Sequence, residues 1–216
     1  VMIGFAEEIE DPEEAAFAAA SPDPLRDLER KTLARIRFSV CFQDAYLGRH
    51  LRASAVISLR IAKALGLKPK EQENLWYAAS VHDIGKIGIN PLILKKEGNL
   101  TETEFSEIQS HTILGHQMLQ GIDSELYRTC ADVALCHHER WDGGGYPNGK
   151  KGTQISLFSR IVSIADVYEC ITSGRHYREA KSEKEAIQEL QTCAGSQFDP
   201  ELIELFTTQV APVKQD

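Results

Sequence analysis

Two short stretches of this chain set imidazole and carboxylate groups where they could hold metal ions. SVHDIGKIG, residues 80–88, puts His82 beside Asp83, with Lys86 three residues after the acid. HHERWDGGGYPNG, residues 137–149, puts His137 beside His138 and follows them with three glycines and a Tyr-Pro pair. Neighbouring positions on a helix point ~100° apart, so an adjacent pair serves a single ion poorly from a helix interior. The same pair can reach two close ions, or share one where the helix ends. An aspartate suits the bridge between ions ~3.5–4 Å apart, because each oxygen can bind one of them. Imidazole with few carboxylates favours Fe, Mn, Zn or Ni over Mg or Ca.

Each piece has a plainer reading. A single histidine on a helix more often makes a hydrogen bond than ligates a metal, and His116 and His176 are read that way. Lys86 could be a solvated lysine at a helix end. Asp166 lies inside the apolar run IVSIADVYECI, where it must be exposed, paired with an arginine, or bound to a metal, since unpaired burial is costly. The combination is stronger than its parts: HDxGK, a histidine doublet, and further His and Asp on other segments have no common packing purpose.

The elements that must position these groups read as helices throughout. Residues 1–24 are acidic and alanine-rich and end in SPDP, whose prolines suggest a linker or flexible arm. From Leu25 to residue 216 the pattern is one domain. Apolar residues recur at helical spacing over 25–42 and 44–65, and a helix after Pro69 runs towards His82. Thr101 with Glu104 forms a capping box that opens a helix through Leu114, and Ser182 with Glu185 forms a second. Residues 124–140 are expected as the helix that delivers His137 and His138, residues 155–172 as the one carrying Asp166. Asp199-Pro200 starts a last short helix. No useful strand pattern and no internal repeat appear, so the expected class is all-α.

Composition narrows the partners. A formal net charge of −8 disfavours nucleic-acid duplexes and anionic membrane surfaces, though not a small phosphorylated ligand in a local cationic pocket. Five cysteines without a CxxC pair suit a reducing cytosol. No apolar run approaches the ~18 residues of a spanning helix, and no signal-peptide pattern appears, so the expected location is cytoplasmic. The opening Val-Met suggests a piece of a longer protein.

HDIGKIG, HHERWDGGGYPNG, RIVSIADVYECITSGRHYR and GSQFDP together resemble, in order and spacing, the HD-GYP family of bacterial phosphodiesterases. That family is a branch of the metal-dependent HD superfamily, and the resemblance runs over about residues 44–206. It implies an HD-domain helical bundle, a centre of two or three metals of Fe or Mn type (Ni or Zn as alternatives), and hydrolysis of cyclic di-GMP; some members prefer cyclic GMP-AMP. Matched position by position, one metal would take His50, His82, Asp83 and Asp166. The second would share Asp83 and take His111, His137 and His138. Some members hold a third metal through a glutamate four residues before the first histidine; Tyr46 stands there, which points to two.

The resemblance also implies a mechanism. A hydroxide shared by the two ions would attack phosphorus in line with the departing 3′ oxygen, giving linear pGpG, or GMP where hydrolysis continues. Asp83 and Lys86 would carry the catalysis. Arg175 and Arg178, with Tyr146, Gly145 and Asp44, would face substrate. Gly143, Gly144 and Gly145 are expected to allow positive φ and close backbone approach, with Trp141 anchored in the core and Asp142 bonded to backbone amides. Departures from the family pattern fall at Gly144 (commonly serine), His176 (proline), Asn90-Pro91 (Pro-Asp), Gly174 (aspartate) and Ser196 (threonine); none removes a ligand. Family members usually carry receiver or sensor domains upstream, and a diguanylate cyclase domain or a second copy of the chain are further expected partners. The competing readings are another HD-superfamily nucleotide phosphohydrolase, which the histidine doublet and GYP loop disfavour, and a low-turnover module that binds cyclic dinucleotide or a partner.

Overall fold

A computed structural model describes residues 12–20, 23–43, 45–173 and 180–211. Asp44, Gly174, Arg175, His176 and Arg178 lie outside them. The described residues form helices without a named strand, as expected: α1 (Pro12–Ala20), α2 (Pro24–Gln43), α3 (Ala45–Ala64), α4 (Pro69–Val81), α5 (Pro91–Leu94), α6 (Glu102–Gln109), α7 (His111–Leu119), α8 (Glu125–Cys136), α9 (Leu157–Ser173), α10 (Glu183–Thr192) and α11 (Pro200–Leu205). Prolines open five of these helices, where the missing N–H costs no intrahelical bond. Both expected capping boxes are present: Thr101 Oγ1 accepts from Glu104 N at 3.2 Å, and Ser182 Oγ from Glu185 N at 3.3 Å.

Three boundaries differ from the sequence expectation. The segment read as linker or arm contains α1, whose Phe17 ring lies 6.5 Å from Trp76 and whose Glu14 pairs with Arg37 at 2.7 Å. The helix expected from Thr101 through Leu114 divides at Ser110, so that His111 becomes the first residue of a new helix. Helix α8 stops at Cys136 rather than residue 140, leaving His137 as its C-terminal cap.

The core lies where α3, α4, α8 and α9 meet, with Leu51, Ile61, Leu75, Trp76, Val133 and Ile164 fully buried. Helix α2 is fastened to α4 through a charged contact. Glu73 accepts from Arg26 Nε at 3.0 Å and from Arg30 Nε at 2.6 Å, all three side chains being almost wholly buried.

After α4 the chain makes a 3₁₀ turn, Ile84–Gly88, that packs on α7. This contact is unusually close. A Cβ added to Gly85 would sit 1.9 Å from the His111 carbonyl oxygen and 2.5 Å from Gly115 N, both backbone atoms. The glycine of HDIGK is therefore required by crowding, and it brings the end of α4 within reach of the start of α7. Gly85→Ala is expected to destabilise the protein by at least the ~1–3 kcal/mol typical of overpacking, read as a lower urea midpoint. An unchanged midpoint would show that the two backbones are not held together as described.

Candidate metal centre

Five helices bring the predicted ligands to one place, three of them at their ends. His82 caps α4 and Asp83 follows it; His111 begins α7; His137 caps α8 and His138 follows. His50 and Asp166 project from within α3 and α9. His50, His82, Asp83, His111, His137 and Asp166 are buried, and His138 is partly so.

The histidines are oriented from behind. Nδ1 of His82 contacts the Ala79 carbonyl at 2.7 Å, that of His111 the Ile108 carbonyl at 2.6 Å, and that of His137 the Val133 carbonyl at 2.9 Å. A carbonyl can only accept, so each Nδ1 carries the proton and each Nε2 presents a lone pair. His50 Nδ1 is held instead by the Glu169 carboxylate.

Those Nε2 atoms converge on Asp83 from two sides. Asp83 Oδ1 lies 3.2 Å from His111 Nε2 and 3.7 Å from His137 Nε2. Asp83 Oδ2 lies 3.8 Å from His50 Nε2 and 3.6 Å from His82 Nε2, and also meets Lys86 Nζ. Asp83, His111, His137 and His138 each offer a ligand atom within 4.8 Å of the others, and so do His50, His82 and Asp83. Asp166 joins the second group through His50, its Oδ1 being 3.1 Å from His50 Nε2. Its partners among the described residues are His50 and Cys170, not the arginine of the plainer reading. His116 stays outside the cluster, bonded at Nδ1 to the Ala131 carbonyl.

This donor set fits divalent cations. His82 Nε2 and Asp83 Oδ1 are buried with no hydrogen-bond partner, and bare lone pairs facing one another are costly without a cation between them. The charge states agree. Burial lowers His82 to about 4 and pushes His111 and His138 down, which keeps them neutral. Burial raises the Asp83 carboxyl, but Lys86 and the histidines outweigh it and hold it well below the usual range. Asp166 is likewise held low against burial, chiefly by His50. His50 goes the other way: burial disfavours its charge, and Asp166, Cys170 and Glu169 overcome this.

The loop after the doublet closes beside His138. The Tyr146 ring lies 4.9 Å from the His138 ring and 6.4 Å from Phe105. The three glycines do different jobs. Gly143 takes a positive φ of 87°. A Cβ on Gly145 would meet Arg140 N at 2.4 Å and the His138 carbonyl at 2.6 Å. Gly144 needs neither allowance, which corrects the expectation for that position: a Cβ there meets only the Asp142 and Arg140 side chains. Asp142 accepts from Gly144 N at 2.8 Å, as expected. Trp141 is not in the core; it is half-buried under Arg160, and its backbone N–H donates to the Gln197 carbonyl at 3.0 Å.

Two acids were missed in the sequence. Glu139, buried, accepts from Asn148 N at 2.8 Å and from Lys150 N at 3.0 Å, and so ties down the far side of the loop. Glu169 supports His50 from behind. Its spacing of three from Asp166 puts both acids on one face of α9, a signal that was available. Glu139 had no such signal, since its partners are backbone amides.

A helical bundle with histidines and aspartates at the ends of α4, α7 and α8 defines a metal-binding domain of HD type. Residues 36–202 match the family described as HD domain. The chain is 38% identical over 165 residues to a cyclic di-GMP phosphodiesterase of Thermotoga maritima, covering 76% of this chain and 45% of the relative. It is 35% identical over 196 residues to the cyclic di-GMP phosphodiesterase response regulator RpfG of Xanthomonas campestris pv. campestris, covering 91% and 52%. The fold resembles that of Bd1817, a HDG"Y"P protein from Bdellovibrio bacteriovorus, with a TM-score of 0.60 at 21% identity over 75% of this chain and 51% of the other. This chain belongs to the HD domain family, in the HD-GYP branch that its motifs resemble. It spans about half the length of those curated relatives.

The ionisation pattern makes stability depend on pH. His82, His111 and His138 are held neutral in the fold but protonate near 6.5 when unfolded. Asp83 and Asp166 stay ionised in the fold below their unfolded range. In both cases the unfolded chain binds more protons: the histidine contribution is complete above about 6.5 and is lost as pH falls towards 4, and the aspartate contribution is lost only below 3.8. His50 opposes the trend as a single group. With metal removed by chelator, the urea midpoint is expected to be lower at pH 5 than at pH 7.5; a midpoint that rises on acidification would contradict these charge states.

Proposed function

We propose that this chain is a metal-dependent phosphodiesterase of cyclic di-GMP, opening the 3′–5′ phosphodiester to linear pGpG, or to GMP where hydrolysis continues. The observation that carries the reading is Asp83, a buried carboxylate with each oxygen turned to a different histidine group. His50, His82, Asp83 and Asp166 would hold one divalent ion, and Asp83, His111, His137 and His138 a second. Fe or Mn suits this donor set, with Ni or Zn as alternatives. When bound, such ions supply Lewis acidity to phosphoryl oxygens and a water acidic enough to furnish hydroxide near neutral pH.

The chain's own residues would do the rest. A cleft of about 890 Å³ has His50, Tyr46 and Lys86 on its wall, together with Lys95 and Lys96, a size suited to a small ligand. Lys96 is matched by Glu104 at 2.6 Å, which leaves Lys95 as the better placed cation for the second phosphate of a cyclic dinucleotide. Lys86 sits at the boundary between cleft and centre. With a divalent ion held by Asp83, the Lys86 ammonium would be placed to meet a non-bridging phosphoryl oxygen. Tyr146 and Gly145 shape the wall by His138. Arg175, Arg178 and Asp44 are assigned to substrate on motif resemblance alone.

The substrate class is supported by the names of the two curated relatives. Among the described residues no helix is long and apolar enough to cross a membrane, which is compatible with the cytoplasmic location proposed from sequence. A receiver or sensor domain, a diguanylate cyclase domain and a second copy of this chain remain the proposed protein partners.

The test is direct. Metal-loaded protein is incubated separately with cyclic di-GMP and cyclic GMP-AMP, and linear products are separated by chromatography. Cyclic di-GMP is expected to be opened, with activity abolished in the His82→Ala/Asp83→Ala double variant. Lys86→Met is expected to lower kcat by roughly 10²–10³-fold, as for loss of one charge-stabilising donor, while metal content is retained. Cleavage of cyclic GMP-AMP alone would move the assignment to that substrate. Tight binding without products would make the domain a cyclic-dinucleotide sensor.

A further inference from the structure

We infer that Glu169 is a positioning residue that strengthens His50 as a donor and makes the His50 side of the centre the tighter of its two metal positions. This rests on the proposed two-metal reading of the site.

The argument starts from an asymmetry among the histidines. His82, His111 and His137 each give their Nδ1 proton to a carbonyl three or four residues earlier in the same stretch of chain. Those acceptors are neutral and come with the local backbone. His50 gives its proton to a carboxylate from another helix, 119 residues away in sequence. Glu169 is only 6% exposed, so water does little to screen it.

A buried carboxylate is costly and needs a specific partner. Glu169 Oε2 has one in His50 Nδ1. A charged acceptor polarises the imidazole more than a peptide carbonyl does, which raises the electron density at the opposite nitrogen. That nitrogen, His50 Nε2, is buried and faces Asp83 at 3.8 Å and Asp166 at 3.1 Å. Glu169 therefore adds a negative charge behind one metal position and none behind the other, where the supports of His111 and His137 are uncharged.

Cys170 offers the rival explanation, since its sulfur shares a 4.8 Å cluster with His50 and Glu169. In that case Glu169 would be a ligand in a thiol-containing site.

The experiment titrates the metal-free chain with Co²⁺ against a chromophoric chelator, with helicity monitored by circular dichroism. Wild type is expected to show two binding constants, the tighter lost in His50→Ala and the weaker in His111→Ala. Glu169→Gln keeps the volume and an acceptor oxygen but removes the charge. It is expected to weaken the tighter constant by ~10–100-fold, the usual range for a supporting carboxylate, with the weaker constant and the helicity unchanged. Glu169→Asp is expected to recover part of the loss. Wild-type binding in the Gln variant, or equal weakening of both constants, would overturn the inference. So would the same loss in Cys170→Ala. Protein that shows the expected asymmetry but opens no cyclic dinucleotide would sink the functional reading and leave the role of Glu169 standing.

Discussion

A single carboxylate is the constraint on which this structure turns. Asp83 is almost fully buried, and its two oxygens face different pairs of histidines. Removed from water, it must be matched by positive charge or it would not remain ionised. The Lys86 ammonium, which meets Oδ2, supplies part of that charge. Metal ions would supply it more completely, since they also satisfy lone pairs that protein hydrogen bonds leave bare. The same feature explains why the centre draws on five helices: no single helix can present donors to both sides of one carboxylate.

The bundle meets that demand by placing helix ends at the centre. His82 and His137 cap their helices, and His111 starts one. At an end the backbone leaves its helical course, so consecutive residues such as His82-Asp83 and His137-His138 need not diverge as they would in a helix interior. The price is that each end must be fixed by something other than helix hydrogen bonds. Gly85 does this for the end of α4 by lying against the backbone of α7, and Glu139 does it for the loop after α8 by holding two backbone amides. Farther out, Arg26 and Arg30 clamp Glu73 on α4, the helix that terminates in His82. Helix α2 is thus mechanically continuous with the metal centre through one buried ion network.

Most of the site was legible because its parts are chemically conspicuous. His82-Asp83 and His137-His138 are improbable as packing residues, and Asp166 stood out as an acid within an apolar helix. The capping boxes and the prolines at first helical positions marked where helices begin. What escaped was what depends on tertiary contact. Nothing local distinguishes Ser110 from a mid-helix residue, and the division there follows from the packing of α7 against Gly85. Helix α1 was hidden by prolines read as breakers, although Pro12 and Pro24 each open a helix. Glu139 bonds to backbone amides brought near only by the folded loop, and only that loop shows it buried.

The same logic resolves how an acidic chain can be suited to an anionic ligand. A net charge of −8 describes the field far from the molecule, and that field is screened over ~8–10 Å at ordinary ionic strength. What a bound phosphate meets is local. On the wall of the cleft stand Lys86, Lys95 and Lys96, and of these Lys96 is already neutralised by Glu104. Lys86 is committed to Asp83 until another cation arrives. Metal ions held as proposed would bring positive charge of their own to the cleft and would compete with Lys86 for Asp83. On this account affinity for an anionic substrate and occupancy of the metal centre are coupled through one side chain, and the acidic surface elsewhere is no obstacle to either.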